Sequence, residues 1–128
     1  MPFSQQDADK AYEQYQIETG KHFAAKDAKG LTSMYHPDSV LISQGEWAAY
    51  GLEEILKRNK EIINMPFNFN VKPEVTTFSN NGEFIYHKSF FYHKQDPKKS
   101  GWYSIILKRG DDGKYLVYHD IFNMKDLF

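Results

Sequence analysis

Cysteine is absent from the 128 residues, which removes disulfides, thiol nucleophiles and cysteine-based zinc sites together. An excess of either charge is absent too: sixteen Lys plus Arg face seventeen Asp plus Glu, a formal net charge of −1. A domain that holds nucleic acid or an anionic membrane on its surface needs a basic patch, so both partners are set aside. No run of about 18 apolar residues is available to span a bilayer. Residues 1–7 do not place a basic segment before an apolar one, as a secretory leader would. The expectation is a soluble, cytoplasmic protein. Glycine-rich phosphate loops are missing, as is any Ser or Thr in a nucleophile setting. Repeats, low-complexity tracts and linkers are missing as well, so residues 1–128 read as one domain. A chain of this length can bury roughly two-thirds of its unfolded surface around one core.

What the chain has in quantity is aromatic rings: 16% of residues, with nine Tyr and ten Phe, crowded from Phe67 onward. Rings of that size build large cores, pockets and interfaces. Ser4, with Asp7 three residues on, predicts a capped helix running to about Lys26, whose inward stripe is Ala8, Ala11, Tyr12, Tyr15, Thr19 and Phe23. After a break at residues 27–30, Leu31, Met34 and Tyr35 mark a short helix that His36-Pro37 stops. Residues 39–43 read as a strand and 44–51 as a loop carrying Trp47. Helical spacing returns over residues 52–64. Everything after Pro66 is strand and turn, with Asn80-Asn81-Gly82 as a tight hairpin, giving four consecutive antiparallel strands.

The last of these strands, residues 113–123, is apolar on both faces, so it must be covered twice. Strict alternation sets Leu116, Tyr118, Asp120 and Phe122 on one side and Tyr115, Val117, His119 and Ile121 on the other. Asp120 is then a single carboxylate among rings. Such a group either rises in pKa or finds a cation.

Three stretches, residues 26–40, 45–55 and 112–123, occur in an order that resembles the nuclear transport factor 2-like, or cystatin-like, superfamily. They are most similar to its SnoaL-like and calcium/calmodulin-kinase association-domain branch, although Tyr115 stands where that branch usually has Trp. The resemblance implies an α+β fold, three helices on a strongly curved antiparallel sheet that forms a cone with a pocket, and a convex face that pairs two copies. With even positions inward on the second meander strand and on the last, the cone lining includes Tyr86, Lys88, Phe90, Tyr92, Tyr118, Asp120 and Phe122. Tyr103 and Ile105 join from the strand between, and Tyr12, Tyr15 and Thr19 from the first helix. The catalytic candidates are Asp120 as base or ligand anchor and Tyr86 and Tyr118 as hydroxyl donors, against the plainer reading of a structural Asp120–Lys88 ion pair. Trp47 is either a lid over the cone mouth or a packing residue. Ile85, Phe91, Trp102, Ile106, Val117 and Ile121 would form a homodimer face.

The steroid isomerases share the implied architecture, but their tyrosine donor, carboxylate base and acid donor fall near Thr19, Ser43 and Ile105, so that activity is not carried over. The histidines do not converge: His87 and His93 are about 20 Å apart along one strand at roughly 3.3 Å per residue, and no metal or other cofactor is expected. Two functions follow. One is a pocket protein that binds or transforms a small, largely apolar molecule; the alternative is a non-catalytic association module with a filled cone.

Overall fold

The computed structural model describes residues 2–127. Ser4 caps the first helix, α1 (Gln5–Ala24), through a reciprocal pair of bonds. Its hydroxyl accepts from the Asp7 amide at 3.2 Å, and the Asp7 carboxylate accepts from the Ser4 amide at 3.0 Å. Two donors that a helix start leaves open are thereby satisfied. A short α2 (Ala28–Thr32) precedes β1 (Tyr35–Ser43), β2 (Trp47–Tyr50) and α3 (Leu52–Ile62). The meander follows as β3 (Phe69–Phe78), β4 (Phe84–His93), β5 (Ser100–Arg109) and β6 (Tyr115–Asn123), and a single 3-10 turn, Lys125–Leu127, comes after it.

Three elements differ from expectation. α2 opens at Ala28, inside the expected break, with Asp27 as its cap, and ends at Thr32 before Met34 and Tyr35. β1 begins at Tyr35 rather than at Ser39, because Pro37 forces the residue before it into extended backbone and the strand reaches back past it. Residues 47–50, expected in a loop, pair with β1; two alanines and a length of four residues hid that strand.

All six strands form one sheet in the order β2-β1-β6-β5-β4-β3. β6 is therefore central, parallel to β1 and antiparallel to β5, which makes the sheet mixed and accounts for a strand apolar on both sides. Register shifts interrupt the pairing between Tyr35 and Val40, between Pro73 and Val75, and between Ile106 and Leu107. Each inserted residue bends its strand and adds twist, so the sheet curves without closing. α1 packs into the hollow with Ala8 fully buried and Tyr12 stacked on His87 at 3.7 Å between ring centroids.

Which residues face the hollow differs from the sequence reading in two strands. Cross-strand partners share a face, and Ile85 lies opposite Leu107, His87 opposite Ile105 and Ser89 opposite Tyr103. The odd-numbered residues of β4 thus point inward, with Ile85 and Ser89 at 0% exposure, His87 at 3% and Phe91 at 8%. Tyr86, Lys88, Phe90 and Tyr92 belong to the convex face, while Ile85 and Phe91 leave the expected dimer face for the core. The even positions are the more aromatic, which favoured them as the inward set. The inward polar pair is instead satisfied internally, since His87 Nε2 and Ser89 Oγ are hydrogen-bonded at 2.7 Å and His87 Nδ1 meets Thr76 Oγ1 at 2.7 Å. In β6, His119 pairs with Ile106 but Val117 with Leu107, so Tyr118 is an extra residue. A one-residue insertion exchanges faces beyond it: Val117 is buried in the core at 0% exposure, and Tyr118 turns outward to meet Phe84 at 6.1 Å between centroids.

Candidate functional site

The bulge at Tyr118 aims Asp120 into the hollow. Beyond it Asp120 lies opposite Ile105 on β5 and beside Leu41 on β1, and Phe122 lies opposite Tyr103. One turn spacing along α1 presents Tyr12, Tyr15, Gln16, Thr19 and Phe23 on the facing side, and between the two layers is a cavity of about 190 Å³. Ile62 at the end of α3 and Met65 and Phe67 beyond it line the cavity, and Leu31, Asn59, Phe91 and Met124 complete the wall. Asp120 is the sole carboxylate among these lining residues.

Its hydrogen bond comes from an unexpected direction. The Tyr35 hydroxyl donates to Asp120 Oδ2 at 2.8 Å, a contact made possible by β1 starting early enough to set Tyr35 opposite Val117. Burial pushes the Asp120 carboxyl up to about 6, with the Tyr35 bond drawing it back in part. Such a group exchanges its proton near neutrality, the range in which a general base is effective. The hydroxyls of Tyr12, Tyr15, Tyr35 and Tyr103 are all raised by burial first, with the Asp120 charge adding to it. They therefore stay protonated and available as donors. Tyr12 and Tyr103 are hydrogen-bonded to each other through their hydroxyls, and Thr19 Oγ1 is buried with no partner of acceptable geometry. Behind Tyr12, burial depresses His87 to about 4, so the ring is neutral and acts as packing and as a bridge between Thr76 and Ser89.

Of the residues read from sequence, Asp120, Tyr12, Tyr15, Thr19, Tyr103, Ile105 and Phe122 come together around this cavity. Tyr86, Tyr118, Lys88, Phe90 and Tyr92 do not, because the pairing of β4 with β5 and the β6 bulge turn them outward. The Asp120–Lys88 pair does not form across the sheet. Lys88 instead meets Glu74 at 3.6 Å and lies over the rings of Phe90 and Trp102 at 5.1 and 5.4 Å. Trp47 sits beside the cavity, edge-on to Phe122 at 5.9 Å with the Arg58 guanidinium 4.3 Å from its own ring. It lines an adjoining cavity of about 300 Å³ with Ser43, Glu46, Glu61 and Lys125. Tyr35, Gln16 and Asn59 were not singled out in the sequence. No local signal marks Tyr35, whose role depends on a pairing 85 residues distant. Among the described residues no group of three or more His, Asp or Glu is placed to hold a metal ion.

No protein-family profile matches the chain, and no curated protein matches it in sequence. Solved structures match it in shape. A ketosteroid isomerase-like protein from Erwinia carotovora atroseptica superposes with a TM-score of 0.69 at 15% identity, over 88% of this chain and 92% of that one. The fold is the nuclear transport factor 2-like, cystatin-like cone. A structure from Thiobacillus denitrificans assigned as a calcium/calmodulin-dependent protein kinase type II association domain shares the cone at a TM-score of 0.72 and 8% identity, covering 88% and 93% of the two chains. ActVI-ORFA from Streptomyces coelicolor, a SnoaL-like protein, shares it at 0.66 and 14% identity over 90% and 95%. Of the three residues that the sequence reading set near the isomerase groups, Thr19, Ile105 and Ser43, two come to the cavity and one does not. The first two line the cavity, whereas the Ser43 hydroxyl donates to Glu46 Oε1 at 2.7 Å.

Proposed function

We propose that the chain is a small-molecule pocket protein that takes a compact, largely apolar ligand into the cone and uses Asp120 as polar anchor and proton acceptor. The observation that carries this reading is the Asp120 carboxyl, held by Tyr35 at 2.8 Å inside a largely apolar wall. Apolar walls with a few convergent polar groups characterise small-molecule sites, and a buried carboxyl raised toward neutrality is a functional marker. A ligand oxygen would be met by the phenolic hydroxyls of Tyr15, Tyr12 and Tyr103, and an acidic C–H or O–H by Asp120. Both roles of a proton-transfer site are thus supplied without Tyr86 or Tyr118. An uncharged apolar fluorescent probe is expected to bind once per chain, with Asp120→Asn altering its affinity and Tyr86→Phe leaving it alone. Binding indifferent to Asp120 and Tyr15 would overturn the assignment.

A second reading, assembly, is favoured by the convex face. Trp102, Ile106 and Ile121 stand there half-buried on the face that also carries Phe84, Tyr86, Phe90 and Tyr118, and Ile106, Phe84, Tyr86 and Tyr118 line a groove of about 330 Å³. Apolar patches of this kind mark contact surfaces, and two identical sheet faces related by a two-fold axis would cover each other. The proposed homodimer therefore uses Trp102, Ile106 and Ile121, with Ile85, Phe91 and Val117 withdrawn from its interface. Sedimentation should give a dimer for the natural sequence, monomers for Trp102→Glu and no change for Lys60→Glu; a monomeric natural protein would sink this reading.

A further inference from the structure

We infer that the ligand is an amphiphilic anion whose apolar body occupies the cone and whose anionic group sits in the adjoining chamber at Lys125. This rests on the pocket reading above and adds the charge and direction of the occupant. The two cavities adjoin across Ile62, Met65, Phe122 and Met124, which line both. Two of these walls are methionines, flexible side chains that shift readily to admit a guest. The inner chamber contains no cation among its lining residues, and its single carboxylate, once ionised, repels an anion. An acidic group on the ligand is therefore excluded from the inner end.

The outer chamber, unlike the inner one, has a cation among its lining residues. Of its two carboxylates, Glu61 is paired with Arg58 at 3.6 Å, while Glu46 accepts from the Ser43 hydroxyl at 2.7 Å, a bond that orients it without neutralising it. The Lys125 ammonium forms no ion pair among the described residues although it lines the same chamber. The ammonium lies over Gly45, 2.9 Å from where a Cβ at that position would stand, and Gly45 has φ +77° in the β1–β2 turn. That backbone angle favours glycine, and the exposed Lys125 side chain stands over the turn at the rim. A carboxylate or sulfonate on the ligand would gain a charge-assisted bond to this group while its rings remain against Phe122 and Trp47.

Two fluorescent dyes with one ring system separate the contributions: anilinonaphthalene sulfonate and its unsulfonated counterpart, phenylnaphthylamine. They are titrated into the full chain at about pH 8, where Asp120 is ionised. Lys125→Met is expected to weaken the sulfonated dye about three- to tenfold and to leave the unsulfonated dye within about twofold. Lys125→Arg restores binding, and Lys60→Met affects neither dye. If Lys125→Met leaves the sulfonated dye unchanged, or weakens both dyes alike, the anion site is overturned while the pocket reading stands. If neither dye binds once per chain, both fall together.

Discussion

The two faces of the curved sheet contrast in a way their compositions conceal. The concave face includes a histidine and a serine, yet it is the sealed one: Ile85, Ser89, Leu107 and Val117 are all at 0% exposure. The convex face is richer in rings, with Phe84, Tyr86, Phe90, Trp102 and Tyr118, yet its side chains remain partly exposed. There Lys88 and Lys108 lay their stems across it, the Lys108 ammonium 5.8 and 5.2 Å from the rings of Phe84 and Tyr118. Hydropathy alone would bury the second face. What buries the first is α1, together with hydrogen bonds that complete His87 and Ser89 before they meet the core. Polarity on a covered face costs little when each polar atom has a partner, and aromatic faces remain at a surface when cations shield them.

The sharpest way to break that contrast is to remove volume on either side of one strand. Leu107→Ala should lose about 2–5 kcal/mol of unfolding free energy, since it empties a sealed site, whereas Ile106→Ala on the other side should lose about 1 kcal/mol. Urea unfolding of both variants decides the matter. A larger loss from Ile106 would mean that the convex face is the covered one.

A smaller effect comes from protons. His87, depressed to about 4 from 6.5, favours the fold above pH 6.5, and that contribution is lost as pH falls toward 4. Asp120, raised to about 6 from 3.8, works in the opposite direction: it favours the fold below pH 3.8, and that contribution is lost as pH rises toward 6. Between about pH 4 and 6 the unfolded chain carries one proton on His87 and the folded chain one on Asp120, so the two slopes cancel. Asp120→Asn should unmask a stability that rises by about 1.4 kcal/mol per pH unit across this window. His87→Asn should give the reverse slope. Unfolding free energies measured from pH 4 to 6 test the pair, and parallel curves for the two variants would show that one group is not buried as described.

The smallest effect sharpens the site itself. Tyr35→Phe removes the bond that lowers Asp120, so the Asp120 titration followed by NMR should move further upward. A downward move would mean that Tyr35 does not donate to it.

Much of the architecture was legible in local patterns. The Ser4–Asp7 box, the α1 stripe, the Asn81-Gly82 hairpin and the four meander strands depend on neighbours within a few residues, and they recur in the structure within one or two positions at most ends. That Asp120 shares a cavity with Tyr12, Tyr15 and Tyr103 was not legible in local pattern; it was expected only from the resemblance, which puts α1 inside a cone. Tyr86, Tyr118 and Lys88 were misplaced because alternation specifies two faces without saying which is covered, and because it carries no mark of an inserted residue.

The chain by itself therefore determined most of its elements, though not β2, together with their order and the presence of one carboxylate in an aromatic strand, since capping, periodicity and turn chemistry are interactions over short separations. Only the tertiary structure decided what that carboxylate meets. Tyr35 reaches Asp120 because β1 lies parallel to β6, and Lys88 is denied it because the β4–β5 and β5–β6 registers put the two on opposite faces. Register and bulge are set by the summed packing of whole strands against α1, a quantity that no short stretch of sequence contains.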